Sequence, residues 1–527
     1  MWNLIARVVL RNRISILIGI AVLTCFLGYK ATQVKLSYEM ARMLPTNDEN
    51  FVKYQNFKKV FGEDGNVFFI GFSDPRLFEI SRFNDFYKTC DSIKDLEGVQ
   101  QILSIANIYT LHKNDSLKKF EVRPVFQSLP KTQAELDSLK HVALNLKFYN
   151  NLLFNKETQS YMIGITLTKD KLNDKSRFEL VDKVEKIIDR FSKKSNIEIH
   201  YSGLPYIRTE ITQMIQHELY LFIVISLIIA ALVMILFFRS FYVVFTSLII
   251  VAISVIWTLG IIALFDYKIS ILIGVFPSLL IIIAIENCIY LVNKYHLEYK
   301  KHGNKIKSLS RVMSRIGFAT LMTNATTATG FATFIFTSNE MLKEFGIISS
   351  INVMLEYVIS LILTIIIFSY LPEPKHKQLK HLDRKSTNFI VEWIKYILQN
   401  HRKTVYALSA IIVVVCAYGV TKMQISGKLV DDIPPSNKIY TDLKFFEKNA
   451  GGVMPFEISI DTKEKKGVFK DGGKVIYKIK LLQKCIKNDS SISKNFSRPM
   501  SIVEGICFAN QMYKDGKPKF YIVPPPM

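Results

Sequence analysis

Residues 219–238 read LYLFIVISLIIAALVMILFF, 20 positions without a charge or a proline. At about 1.5 Å of rise per residue, a helix of that length crosses a hydrocarbon core of ~30 Å. Six further runs repeat the pattern, at 14–29, 242–265, 269–292, 316–337, 345–371 and 404–421, the first and last being short. Apolar residues make up 49% of the 527 and charged ones 21%, and the charges collect between the runs. The fold class this implies is a polytopic α-helical membrane protein with seven spans.

The net charge of +23 suggests nucleic acid at first sight, but its distribution argues otherwise. Residues 1–13 hold three basic residues and no acid, 294–315 hold seven against the single acid Glu298, and 372–403 hold eight against three. The long segment 31–216 is nearly balanced, with 27 basic and 24 acidic residues. An N-terminus in the cytoplasm puts all three basic stretches on one side, as the positive-inside rule requires. The excess is therefore read as topological, and no nucleic-acid partner is expected. Arg7, Arg11 and Arg13 precede the first run as in a signal peptide, yet no small-x-small cleavage site follows, so the span is expected to be retained.

The resulting division is a cytoplasmic 1–13, a first span 14–30, an extracytoplasmic domain 31–216, a five-span unit 217–371, a basic cytoplasmic linker 372–403, a seventh span 404–421, and a second extracytoplasmic domain 422–527. Segment 31–216 alternates strand-like runs (66–72, 99–105, 161–168, 197–203) with helical patterns (78–95, 132–149, 176–194). That order suggests a split βαβ, ferredoxin-like sheet. No phosphate loop, nucleophile elbow or carboxylate pair stands out in it, and the chain is not expected to be an enzyme. The six cysteines form no framework and the nine histidines are scattered, so neither metal nor cofactor is expected.

An internal repeat organises the whole. Shifted by 389 positions, Arg13 meets Arg402, Tyr29 meets Tyr418, Thr32 meets Thr421, Ser37 meets Ser426, Pro45 meets Pro434, Phe57 meets Phe446 and Gly62 meets Gly451. Basic flank, span, strand, Pro turn and amphipathic helix thus recur in order, as in transporters built from parallel repeats. A full second copy would run well past residue 527, so the second extracytoplasmic domain is expected to be incomplete.

A charge inside a span costs about 2.5–3.5 kcal/mol on insertion scales. Glu286 and Glu356 both lie within runs. On a helix, Glu286, Tyr290 and Asn293 share a face at i, i+4, i+7, and Pro277 upstream removes a backbone hydrogen bond and can kink the helix. The fifth run carries Thr320, Thr323, Asn324, Thr326, Thr327, Thr329 and Gly330, small and hydroxyl residues that permit close helix approach. A carboxyl group in low dielectric can take up and release a proton near neutral pH, so Glu286, Glu356, Asn287, Tyr290, Asn293, Asn324, Thr326 and Thr327 are candidates for a proton relay, with Pro277 and Gly330 as kink and packing positions. Simpler readings stand beside it: a carboxyl reaching water near the helix end, a neutral hydrogen-bonded acid, or plain helix packing.

The string Glu286-Asn287-Cys288-Ile289-Tyr290-Leu291-Val292-Asn293-Lys294-Tyr295 resembles the Asp-Tyr-Gly-Ile-His-Leu-Ile-Asn-Arg-Tyr motif of the MMPL branch of the RND superfamily. Thr326-Thr327-Ala328-Thr329-Gly330-Phe331 resembles that family's Thr-Thr-x-x-Gly-Phe signature. Gly203-Leu204-Pro205, Leu44-Pro45, Phe61-Gly62 and Phe345-Gly346 fit as well. The resemblance implies twelve spans in all, two porter-like domains, a five-span unit shared with sterol-sensing-domain proteins, and export of lipids or other hydrophobic molecules driven by the proton-motive force across a bacterial inner membrane. Glu286 takes the place of the family's proton-carrying Asp, and Asn287 stands where Tyr is common. The implied partners are membrane lipids, a hydrophobic substrate, protons and a possible second copy of the chain. A non-transporting lipid sensor built on the same unit and a SecD/SecF-like translocation accessory are the alternatives.

Overall fold

The computed structural model describes residues 2–36, 48–61, 65–114, 119–168, 176–374, 379, 385–423, 435–451, 456–493 and 496–525. The repeat positions Ser37, Pro45, Gly62, Ser426 and Pro434 lie outside them, as do Leu44 and Met527. The chain forms two compact units, one of Met1–Phe51 with Thr212–Gly427 and one of Val52–Ile211 with Lys428–Met527.

The first unit is helical. Its elements are α1 (Trp2–Arg11), α2 (Arg13–Ala31), α3 (Leu204–Phe238), α4 (Phe241–Leu264), α5 (Ile271–His302), α6 (Lys305–Ala332), α7 (Glu340–Tyr370), α8 (Lys385–Asn400) and α9 (Arg402–Thr421). Among the described residues six helices are long and apolar enough to cross a membrane: α2, α3, α4, α5, α7 and α9. The expected fifth run forms α6, which is not one of the six because hydroxyl residues dilute its apolar stretch. Those hydroxyls are satisfied within the helix. Thr320, Thr323, Thr326, Thr327 and Thr329 each donate to the carbonyl four residues back, at 2.8–3.1 Å. A helix that pairs its own polar groups leaves few for a membrane to solvate.

α7 sits at the centre of this unit, packed against α4, α5 and α6. α2 lies against α4 at Gly260, where a β-carbon would come within 2.5 Å of the Leu27 carbonyl oxygen, and Trp257 Nε1 donates to Thr24 Oγ1 at 2.9 Å. Only glycine permits that approach. α5 and α6 are joined by the two-residue turn Gly303-Asn304, with Gly303 in the left-handed region (φ +63°) and the Asn304 side chain accepting from Lys307 N. The basic stretch 294–315 is therefore mostly helix rather than loop.

The second unit is α/β. Strands β1 (Val67–Ser73), β2 (Val99–Leu103), β3 (Tyr109–Asn114), β4 (Lys119–Pro124), β5 (Phe154–Asn155), β6 (Ser160–Leu167) and β7 (Ile199–Ser202) follow the chain. The main sheet runs β2-β6-β1-β7, with β5 also paired to β6 and every pairing antiparallel. β3 and β4 form a separate hairpin. Helix Ile80–Lys94 connects β1 to β2, and helix Ser176–Ser195 lies between β6 and β7. Alternation in β1 sends Phe68, Ile70 and Phe72 into the core, where the Phe72 ring meets Phe86 at 5.6 Å and Phe191 at 5.9 Å. Helix Lys438–Ala450 packs against β7.

Candidate functional site

Three helices, α5, α6 and α7, bring polar side chains together in the buried interior of the first unit. Asn287 on α5 donates through Nδ2 to Glu356 Oε2 on α7 at 2.5 Å and to Asn324 Oδ1 on α6 at 3.2 Å. Asn324 returns a bond from its Nδ2 to Asn287 Oδ1 at 3.0 Å and donates also to the Thr320 carbonyl at 2.8 Å. Exposure is 6% for Asn287, 2% for Asn324 and 1% for Glu356, so water does not reach the group from the surface. Glu356 Oε1 has no hydrogen-bond partner among the described residues, and the Ser360 hydroxyl one turn on is engaged with the Tyr357 carbonyl at 3.0 Å. The neighbouring Tyr357 hydroxyl donates to the Gly317 carbonyl at 2.7 Å and pins α7 to α6. The result is a buried carboxyl group with one oxygen held by an amide and one unpartnered, an arrangement able to accept and release a proton.

The remaining sequence candidates lie elsewhere. Glu286 is exposed on α5 and lines a groove between α3 and α5, together with Tyr290, which is 50% exposed, and Asn293. Thr326 and Gly330 are exposed on α6, and Thr327 is partly so. Pro277 is buried inside α5. The structure thus joins Asn287, Asn324 and Glu356, sets Glu286, Tyr290 and Asn293 along a separate groove, and leaves Thr326 and Thr327 bonded to their own helix. Among the described residues no three His, Cys, Asp or Glu side chains gather as a metal site would require.

The family model of the MMPL family matches residues 91–393, more than half of the chain. This chain belongs to the MMPL family. The matched stretch contains α3 to α7 and all three residues of the buried network. A protein of Methanocaldococcus jannaschii, whose name describes it as a membrane protein and says no more, is 21% identical over an alignment of 373 residues that covers 68% of this chain and 90% of that protein. Family membership makes this a multi-pass, transporter-like membrane protein.

One polar cluster of this MMPL protein went unseen in the sequence. Glu298, near the end of α5, is 1% exposed and lies 3.4 Å from Arg311, 3.7 Å from His302, 3.9 Å from Arg315 and 4.0 Å from Lys294. Arg311 and His302 also touch one another. The signal was present: Glu298 is the single acid among seven bases. What the sequence lacked was the tight Gly303 turn that folds α6 back along α5 and brings Arg311 and Arg315 to it. α1 was missed for a different reason. Its ten residues are too few to stand out as an apolar run, yet Trp2 packs its ring on Gly317 of α6.

Proposed function

We propose that this MMPL protein is a proton-driven exporter of lipids or other hydrophobic molecules in a bacterial inner membrane, with its N-terminus in the cytoplasm. In this reading α6 is a seventh span, and the second unit follows the split βαβ, ferredoxin-like plan of a porter domain, which the strand order β2-β6-β1-β7 supports. Protons, membrane lipids and the hydrophobic substrate are its partners, with a second copy of the chain as a further candidate.

The observation that carries the reading is the Asn287–Asn324–Glu356 network. A carboxyl group at the junction of three helices is expensive to keep in a membrane interior and is a functional site by default. Its position shifts the proton-carrying role from Glu286, which the motif favours, to Glu356. Protonation neutralises the side chain and turns an acceptor into a donor, so the amides opposite must re-pair. That change, at the contact of α5, α6 and α7, is how proton binding would be felt by the bundle. Flux of a fluorescent lipid from liposomes under an imposed pH gradient, with protons followed in parallel, tests the proposal. Coupled flux that Glu356→Gln removes is expected. Flux of equal rate with and without the gradient would refute proton driving, and binding without flux would favour the sensor alternative.

A further inference from the structure

The groove between α3 and α5 has a volume of about 410 Å3. Ser226, Ile229 and Val233 of α3 form one wall, and Ile282, Glu286 and Tyr290 of α5 form the other. The volume lies in the range of small-molecule sites, roughly 300–1,000 Å3. Residues 226–233 cover about two turns of α3 and residues 282–293 about three turns of α5, far less than the length of a membrane-spanning helix, whose own thickness is ~10–12 Å. The concavity fits a single hydrocarbon chain with a head group better than it fits a partner helix.

Its chemistry is uneven. The walls are largely Ile, Val and Ala, as lipid-facing walls are, but Glu286 places an exposed carboxyl group among them. None of the lining residues is basic, so the groove itself supplies no counter-charge. A carboxylate facing hydrocarbon is costly until a cation or a strong donor covers it. One turn along the same face, the half-exposed Tyr290 ring offers a π surface. Carboxylate and aromatic face together suit an alkylammonium head, which pairs with the first and sits over the second. Neither feature suits an anionic head, which Glu286 would repel.

We propose that this groove binds a single-chain amphiphile with an alkylammonium head group, the head at Glu286 and Tyr290 and the chain along Ile229, Val233 and Ile282. The site is distinct from the buried network: Glu286 and Asn287 are consecutive on α5 and therefore point about 100° apart around the helix. An occupant of the groove thus lies against the helix that carries Asn287 without touching Glu356. As a substrate class for the exporter this rests on the function proposed above, but binding itself does not require transport.

The test is photolabelling of the full chain in nonionic maltoside micelles. Three probes share a twelve-carbon chain with a terminal diazirine and differ in head group: trimethylammonium, alcohol and carboxylate. The ammonium probe should label peptides covering 226–233 and 282–293 at least about tenfold more than either of the others. Glu286→Gln, which keeps shape and removes charge, should reduce ammonium labelling to the level of the alcohol, and Glu286→Asp should retain much of it. An unchanged melting temperature in Glu286→Gln shows that the fold survives. Equal labelling by all three probes, or undiminished labelling in Glu286→Gln, overturns the proposal while leaving proton coupling untouched. Exclusion of every probe, with Ser226→Cys cross-linking two copies, overturns it in favour of a chain–chain interface.

Discussion

Asn287 makes one bond to Glu356 and one to Asn324, and so links α5 to both α7 and α6. Replacing it with Leu keeps the volume close but leaves the Glu356 carboxyl and the Asn324 side-chain oxygen, both buried, without the donor they had, each costing about 1–3 kcal/mol. Asn287→Leu is expected to lower the melting temperature of the purified protein, whereas Asn287→Asp, which can share a proton with Glu356, should lose less. Equal melting temperatures for wild type and Asn287→Leu would show that the network does not stabilise the bundle. The sequence made the polar character of this region plain: Glu286, Asn287, Asn324 and Glu356 all stand out in apolar runs. It did not show which of two consecutive residues faces inward. A motif ranks Glu286 first, but a helix turns about 100° per residue, and only packing against α6 and α7 fixes the rotation. Glu356 had depth to recommend it and no motif, because its partner Asn287 lies 69 positions away in the chain, and Asn287 is itself 37 positions from Asn324.

At the scale of elements the 389-residue repeat is visible in the helices themselves. α2 and α9 begin at Arg13 and Arg402, and helices Glu49–Phe61 and Lys438–Ala450 share the same displacement at both ends. α1 and α8 end at Arg11 and Asn400, so each membrane helix of the pair is preceded by another helix. The two copies differ in packing. Helix Glu49–Phe61 buries none of its residues, while Lys438–Ala450 buries Ile439, Leu443 and Phe446. Its Asp442 is 2% exposed, 2.9 Å from His200 Nδ1, and accepts from the Tyr201 backbone N–H at 3.2 Å. Asp442→Ala strands both donors and should destabilise the second unit by about 2 kcal/mol, read as faster proteolysis of residues 435–451 in the intact chain. Proteolysis at the wild-type rate would mean the helix is held by its apolar face alone.

The same unit contains a pH-sensitive group. Glu185 is pushed up from 4.5 to about 7, mainly by burial and then by the negative charge of Glu210, with Lys438 opposing. Between those two values the folded state holds a proton that the unfolded chain releases, so this contribution is complete below about 4.5 and is lost as pH rises through about 7. Unfolding of the second unit should therefore become easier from pH 4.5 to 7, and Glu185→Gln should flatten that part of the curve. An identical slope in the variant would remove Glu185 as its source. The helical pattern over 176–194 and the four main strands were legible in the sequence. The partial burial of Glu185 was not, since it depends on residues distant in the chain.

For the whole molecule, orientation and coupling are the claims at stake. With an internal N-terminus, cysteine placed at His141 should react with an impermeant maleimide in intact spheroplasts, and cysteine at Lys301 only after permeabilisation; both positions are exposed. The exposed native thiols Cys25, Cys416 and Cys485 are replaced first. The reverse pattern would invert the topology. The central claim, that Glu356 is the group that takes and gives the proton, is tested most directly by infrared difference spectroscopy of the protein in lipid as pH is cycled. The account predicts a carboxylic-acid carbonyl band that appears and disappears reversibly, shifts when Asn287 is changed, persists in Glu286→Gln and is absent in Glu356→Gln. A reversible band that survives in Glu356→Gln and vanishes in Glu286→Gln would contradict it and return the role to the groove.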